Sequence, residues 1–374
     1  MTSLAPQLEA LSLDTIETPV PLVDLNVMRA NIARIASYCR QHHLRWRPHT
    51  KTHKSPVVAA EQLAGGAAGL TVATLREAEV MAALTDDLLL AYPQVGEAKL
   101  MRLLALDPWP ADFVMALDSI AALEGLSGAA SASGREVGVV IELDAGMHRV
   151  GVQTPQVAVD LALKAASAPG LRYEGVMFYP GHLRESADKL GPGLMQVADL
   201  VGQYLEALEK ARVPPRIVSG GSTPTVWLSH RIPGLTEVRA GTTVYGDRTT
   251  ASIGVCDWSD CAYTVLATVV SVAVPGQAVI DAGSKALTRE ELRAMGGGYG
   301  ALLDRPEVTL SSLSEEHGLL DLSRTDWRPQ VGDRVRVVPN HVCVSVHLHE
   351  RIYGVENGAI VQQWPVAARG RERA

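Results

Sequence analysis

The chain has 374 residues, 47% apolar and 20% charged, enough to bury a large core and too apolar for disorder along its length. Its formal net charge of −7, with no long run of lysine or arginine, argues against a nucleic-acid or anionic-membrane partner. The four cysteines form no dense framework, which suits a reducing cytoplasm.

The N-terminal "MTSLAPQLEALSLDTIETP" lacks a basic region followed by an apolar core, so no signal peptide is expected there. From residue 25 to 247 two textures alternate. Short runs rich in Val, Ile and Leu end in glycine or polar residues, and alanine-rich segments with helical spacing follow them. The strand candidates are "LRWRPHTK", "GLTVAT", "DLLLAY", "DFVMALD", "VGVVIELDAG", "RYEGVMFYPG", "PRIVSGGS" and "EVRAGTTVYG". Helical stretches such as "LNVMRANIARIASYCRQH" and "LMQVADLVGQYLEALEKA" lie among them. Eight such units predict an α/β fold, a TIM-type (β/α)8 barrel. A doubly wound open sheet is the runner-up. No G-x-G-x-x-G follows the first strand, so a dinucleotide fold is not supported.

After residue 247 the texture changes. Valine-rich pieces ("TVLATVVSVAV", "QAVIDAG", "RVRVVPNHVCVSVHL", "GAIVQQWPV") alternate with turns, and long helices disappear. A second, mainly β domain is expected over 248–374, joined by residues 1–24, whose "TPVPLVDL" reads as a strand. The longest apolar run, "YTVLATVVSVAVPGQAVI", is interrupted by Thr, Ser, Pro and Gly and reads as a buried strand and turn, not a membrane span. Cys256 and Cys261 have the look of half a zinc site, but no matching pair exists.

In such a barrel the chemistry sits at the C-terminal ends of the strands, often with phosphate held after strands seven and eight. Lys51 lies at the end of the first strand and can reach the barrel mouth. Lys54 precedes Ser55-Pro56, a helix cap with proline in the first turn, and is expected to point to solvent. His49 and His53 read as hydrogen-bonded side chains rather than ligands. Strand five ends in "LDAGMHRVG", offering Arg149, and strand six in "FYPGH", offering Tyr179 and His182. Strand seven ends in "SGGSTPT" (Gly220, Gly221, Ser222, Thr223), and strand eight carries "RAGTT" (Gly241, Thr242). Together these form a phosphate cradle. A lysine facing a phosphate site across a barrel suggests pyridoxal phosphate.

The motifs "RPHTKTHK", "DAGMHRVGV", "SGGSTPT" and "VRAGTTVYGD" span most of the chain, and in combination they are specific. The sequence resembles the D-threonine aldolase and D-serine dehydratase group, within the alanine-racemase-like pyridoxal phosphate enzymes. The resemblance implies that Lys51 binds the cofactor covalently, Arg149 sits near its phenolic oxygen, and Tyr179 borders the ring. It implies that Ser222, Thr223, Gly241 and Thr242 hold the phosphate and that Arg239 faces the pyridine nitrogen. It places a divalent metal (Mn, Zn or Mg) at His341 and Cys343 of "PNHVC", whose i, i+2 spacing puts both on one face of a strand. The aldolases of the group are expected to carry Asp at the second position and the dehydratases Cys. A thiolate shifts the preference towards zinc.

The expected function is metal-assisted cleavage of 3-hydroxy D-amino acids to glycine and an aldehyde, with His182 taking the β-hydroxyl proton. A D-serine or 3-hydroxy-D-aspartate dehydratase on the same scaffold is the alternative. A racemase would leave "PNHVC" without purpose, and a barrel-only cofactor carrier would leave the β domain without one. A metal-dependent barrel hydrolase would need more His and Asp at strand ends. The resemblance also implies a cytoplasmic homodimer acting on a small D-amino acid.

Overall fold

The computed structural model describes residues 12–292 and 297–371. Residues 1–11 and 372–374, which include most of the segment read as lacking a signal peptide, lie outside the described residues. So does the stretch 293–296. The chain divides into two compact units. One holds the residues up to Ile32 and Thr242–Ala367, and the other holds Ala33–Gly241 and the residues from Ala368 on. No helix among the described residues is long and apolar enough to cross a membrane.

Strand β1 (Val20–Asp24) runs directly into helix α1 (Leu25–Gln41). Eight parallel strands follow: β2 (Arg45–Trp46), β3 (Leu70–Val72), β4 (Asp87–Leu90), β5 (Asp112–Leu117), β6 (Val137–Leu143), β7 (Leu171–Phe178), β8 (Ile217–Gly220) and β9 (Glu237–Val238). They are paired in the order β2-β9-β8-β7-β6-β5-β4-β3. Seven fall inside the stretches expected from the sequence, and β7 begins one residue before its stretch. The ring closes through a parallel bridge from His49 to Thr71 and through Ala68 N–H donating to Trp46 O at 2.7 Å. The TIM-type barrel is therefore present.

These strands read clearly because a parallel strand is buried on both faces. All seven residues of β6 are buried. The helices between them start where a capping side chain allows. Ser55, Thr74, Ser119 and Thr154 each accept a backbone N–H in the first turn of α2 (Pro56–Ala64), α3 (Leu75–Met81), α5 (Ile120–Ser133) and α6 (Pro155–Ser167). Helices α4 (Glu97–Leu104) and α7 (Leu190–Lys210) complete the set. Leu89, Val114, Ala116, Val140, Met177 and Ile217, contributed by β4 to β8, pack together in the barrel interior.

The other unit is mainly β, as expected. Its strands are β10 (Tyr263–Ser271), β11 (Gln277–Ile280), β12 (Gly300–Leu302), β13 (Arg305–Leu313), β14 (Gly318–Asp321), β15 (Arg334–Pro339), β16 (Arg351–Glu356) and β17 (Ala359–Pro365). The order β11-β14-β13-β12-β15-β10 closes on itself because β10 also pairs with β11. Strand β1 pairs antiparallel with β10 and parallel with β16, so the proline-flanked N-terminal run is a strand of this unit. Short helices α8 (Arg248–Ser252), α9 (Ser284–Leu287) and α10 (Val342–Leu348) interrupt it.

Candidate active site

At the barrel mouth the chain leaves β2 and turns through one 3-10 turn, Thr50–Thr52. Thr50 Oγ1 donates to Thr71 O at 3.1 Å and pins that turn to the next strand. Lys51, in its middle, is exposed. Its Nζ lies 5.8 Å from the centroid of the Tyr179 ring, and the Arg149 guanidinium carbon lies 5.2 Å from the same centroid. Two cationic residues from two strand ends thus converge on the aromatic ring of a third.

Lys54 does not point to solvent. It has a φ of 51° and is buried, with its ammonium ion-paired to the fully buried Glu77. The left-handed backbone turns the side chain inward just before Ser55 caps α2. Glu77 also accepts the Ala73 N–H at 2.7 Å. Removing one partner of a buried pair strands the other charge. Lys54→Met is expected to lower stability by about 3–5 kcal/mol, measured by urea unfolding, while any cofactor bound through Lys51 is retained. His53 is buried beside it. It accepts the Ser55 N–H on Nδ1 at 3.1 Å, so Nε2–H donates to Gln62 Oε1 at 3.1 Å. Burial pushes its pKa down to about 4, leaving a neutral structural imidazole.

The loop after β6 is organised by Asp144, which accepts the N–H groups of Gly146 and His148, both at 3.0 Å. Its side chain also bonds His148 Nδ1 at 2.8 Å. Burial alone would raise the Asp144 pKa, but these donors outweigh it and hold the carboxyl below its ordinary range. The exposed His182 packs against Gly146, where a Cβ would come within 3.2 Å of the imidazole. Gly146 has a φ of +98°, so the position favours glycine twice over.

Ser222 and Thr223 are buried just beyond β8. Ser222 N and Oγ each lie 3.1 Å from Thr225 Oγ1, which fixes the loop. At Gly241 a Cβ would lie 2.6 Å from His49 O, so only glycine lets the two strand ends approach so closely. Arg239 is buried and clamped, with Nη1 donating to Ser219 Oγ at 2.5 Å and Nη2 to Phe178 O at 2.9 Å.

In the mainly β unit, His341 and Cys343 do not share a strand. Strand β15 ends at Pro339, His341 occupies the N-cap of α10, and Cys343 lies in that helix's first turn. The valine-rich "VCVSVHL" reads as β by propensity, and tertiary context overrides it. His341 and Cys343 still lie two residues apart at the start of one helix, close enough for the Cys343 sulfur to raise the His341 pKa. His341 Nδ1 lies 3.1 Å from Asp247 Oδ2, which also accepts the Val342 N–H at 3.2 Å. Asp247 in turn caps α8 through Thr250 N–H at 2.8 Å. Burial works to lower the His341 pKa, but its bonds to Asp247 and Cys343 carry it up to about 11. Thr242 Oγ1 lies 3.9 Å from Cys343 Sγ.

Asp247 and Glu142 were not foreseen. Asp247 is signalled locally, since "DRTT" has the form of a helix cap, but its histidine partner is 94 residues away. Glu142 stands out as the single charge in "VGVVIEL". Burial pushes its pKa up to about 7, against the pull of Arg239 and Arg149 and with a push from Asp118.

The residues fit the groups expected of them. An exposed amine and a guanidinium flank an aromatic ring, and glycines open the neighbouring strand ends, as a phosphorylated pyridine aldehyde requires. His341 and Cys343 offer one nitrogen and one sulfur, with Asp247 behind the imidazole, as carboxylates commonly stand behind metal-binding histidines. Among the described residues no group of three or more His, Cys, Asp or Glu could hold a metal, so the pair would be an open, two-residue site. Cys256 and Cys261 are free thiols, Cys256 Sγ donating to Thr250 Oγ1 at 3.6 Å, and they belong to no such group.

Residues 23–249 match the family described as alanine racemase, N-terminal domain, and residues 262–355 match the putative serine dehydratase domain. The chain is 35% identical to D-threo-3-hydroxyaspartate dehydratase of Delftia sp. (strain HT23), over 94% of this chain and 97% of that enzyme. It is 31% identical to 3-hydroxy-D-aspartate aldolase of Paracoccus denitrificans, covering 98% and 95%. The solved D-threonine aldolase from Filomicrobium marinum superposes with a TM-score of 0.87 at 30% identity, covering 95% and 96% of the two chains. A cysteine-to-alanine variant of the dehydratase has also been solved in a metal-free form.

Barrel, β unit and matches together define an alanine-racemase-like pyridoxal phosphate enzyme. Within that class the chain belongs to the D-threonine aldolase and D-serine dehydratase-like family of lyases that act on D-amino acids.

Proposed function

We propose that the protein eliminates water from a 3-hydroxy D-amino acid, and that hydrolysis of the resulting enamine releases ammonia and a 2-oxo acid. The observation that carries this reading is Cys343 in the first turn of α10, directly beyond His341 at its N-cap. The resemblance links cysteine at that position to the dehydratases and aspartate to the aldolases. That weighs against the carbon–carbon cleavage expected from the sequence motifs. Cleavage to glycine and an aldehyde remains the second reading, favoured by 30–31% identity to aldolases over nearly the whole chain.

In this reading Lys51, Arg149, Tyr179, Ser222, Thr223, Arg239, Gly241 and Thr242 hold pyridoxal phosphate, and His341 and Cys343 hold a divalent metal. When bound, the cofactor supplies an electron sink for negative charge at Cα, and the metal a Lewis acid for the β-oxygen. Lys51 would hold the cofactor, and its amine would take the α-proton of the substrate. Arg149 and Tyr179, in contact with each other, would bind and orient the cofactor beside it. His182 gives a proton to the departing hydroxyl, or takes it from the hydroxyl if the carbon–carbon bond breaks. Asp247 holds the His341 ring in one orientation.

Product analysis with D-threo-3-hydroxyaspartate, D-serine and D-threonine decides between the readings. Ammonia with a 2-oxo acid supports elimination, and glycine with an aldehyde replaces it by cleavage. His182→Asn is expected to lower turnover by roughly two to four orders of magnitude, the usual worth of general acid–base catalysis, with cofactor absorbance intact. Near-normal turnover would remove His182 from the mechanism.

A further inference from the structure

The end of α1 and the turn that follows β8 bring two histidines face to face. His42 lies just past α1, and His230 lies in the 3-10 turn Val226–Arg231. Their imidazoles stack with centroids 3.9 Å apart and planes 12° from parallel. Tyr38, one turn earlier on α1, packs on these two rings at 4.7 and 5.8 Å and meets the Trp227 ring edge-on at 5.3 Å. Its hydroxyl oxygen accepts the His230 N–H at 3.1 Å and lies 2.9 Å from His230 Nδ1.

The residue before His230 carries the connection inward. Ser229 is fully buried, and its Oγ donates to Thr225 O at 3.0 Å. It presses on Gly221, where a Cβ would come within 3.0 Å of that hydroxyl oxygen and where φ is +83°. Thr225 Oγ1 in turn accepts the Ser222 N–H at 3.1 Å. One short turn thus ties Ser222 to α1 through Ser229 and His230. Two neutral rings, or one charged and one neutral, can stack as His42 and His230 do, but two charged rings repel at that distance. The other titratable and charged groups facing the pair are the Tyr38 phenol and Arg231, with the Cys39 thiol beside Tyr38. None of these is a carboxylate that could offset a second positive charge. Desolvation of the stacked ring, with His42 and Arg231 adding to it, lowers the His230 pKa from its ordinary 6.5. The unfolded chain therefore takes up this proton first. The stability that the pair contributes is whole above pH 6.5 and is lost as pH falls through the lowered value.

We propose that His42 and His230 form an acid-opened clasp, which holds the turn after β8 against α1 while at most one ring is charged and lets the phosphate loop loosen when both are. The inference rests on the reading that Ser222 and Thr223 hold the phosphate of pyridoxal phosphate. It makes cofactor retention depend on two residues outside the set assigned to cofactor and substrate. By reciprocity, bound cofactor keeps the clasp shut to a lower pH.

The test is pyridoxal phosphate, and pyridoxal without its phosphate, titrated into cofactor-stripped full-length protein from pH 5.5 to 8 and followed by absorbance. At pH 8 the natural chain, His42→Gln and His230→Gln are expected to bind pyridoxal phosphate within about twofold of one another. Between pH 8 and 5.5 the natural chain should lose about tenfold more affinity than either variant, the equivalent of one unit of pKa displacement. Protonation of the phosphate and of Lys51 is common to all three chains and cancels in that comparison. With pyridoxal the three should follow one pH profile, because the clasp acts on the phosphate loop. The same pH dependence in the natural chain and both variants overturns the inference, as does an equal difference with pyridoxal. Pyridoxal phosphate bound no more tightly than pyridoxal by the natural chain at pH 8 instead overturns the reading on which the inference rests.

Discussion

Replacing Lys51 by alanine is expected to abolish covalent cofactor binding and to lower turnover by roughly four orders of magnitude or more. Two lysines in "RPHTKTHK" compete for this role, and the structure separates them physically. Lys54 is buried and its charge is committed to Glu77. To act as a nucleophile it would have to leave a buried carboxylate unpaired, at several kcal/mol. Lys51 is exposed, on a turn tied to β3, with Tyr179 and Arg149 close by. Borohydride trapping followed by peptide mass analysis identifies the modified lysine. An adduct that survives in Lys51→Ala and disappears in Lys54→Ala would transfer the role to Lys54.

The barrel was legible because the expected stretches end in glycine or polar residues and four of the following helices announce themselves by a capping side chain. Even β2 and β9, two residues long, sit inside the stretches expected. Their recognition rested on repetition of the unit rather than on the strands themselves. Lys54 was misjudged because its partner lies 23 residues away and its inward turn depends on a left-handed φ. A lysine next to a helix cap reads as solvated in any local scheme. The valine-rich helix α10 was misjudged for the opposite reason. Its composition carries a genuine β signal, and only the chain's turn at Pro339-Asn340 makes a helix of it.

The pattern of the site was similarly split. Residues at strand ends can be listed from the sequence, since barrel topology sends strand ends to one face. Which of them meet cannot, and the convergence of Lys51 and Arg149 on Tyr179 is a finding of the fold. Second partners such as Asp247 escape sequence reading altogether, because an acidic cap explains itself locally. Glu142, although not foreseen, carries a readable signal. A lone carboxyl in an otherwise apolar, doubly buried strand has no structural motive, and that alone marks it for attention.

Chelation is expected to inactivate the enzyme while leaving cofactor absorbance intact, and added divalent metal to restore turnover. His341 and Cys343 provide two donors, and no third His, Cys, Asp or Glu joins them among the described residues. A metal held by two side chains keeps positions for water and substrate, which a Lewis acid acting on a hydroxyl needs. The same openness makes it exchangeable, whereas a closed four-residue site would retain its metal. Asp247 should matter through His341, since a carboxylate behind a ligating imidazole fixes its tautomer and its direction. Asp247→Asn is therefore expected to weaken metal affinity by about 10–100-fold without changing cofactor absorbance. Cys343→Asp replaces a soft sulfur by a hard oxygen and should shift the preference from zinc toward manganese or magnesium. Turnover measured against each ion, with metal content determined by elemental analysis, checks all three outcomes. Full activity in a preparation free of metal would remove the His341–Cys343 pair from the mechanism and leave the departing hydroxyl to His182 alone.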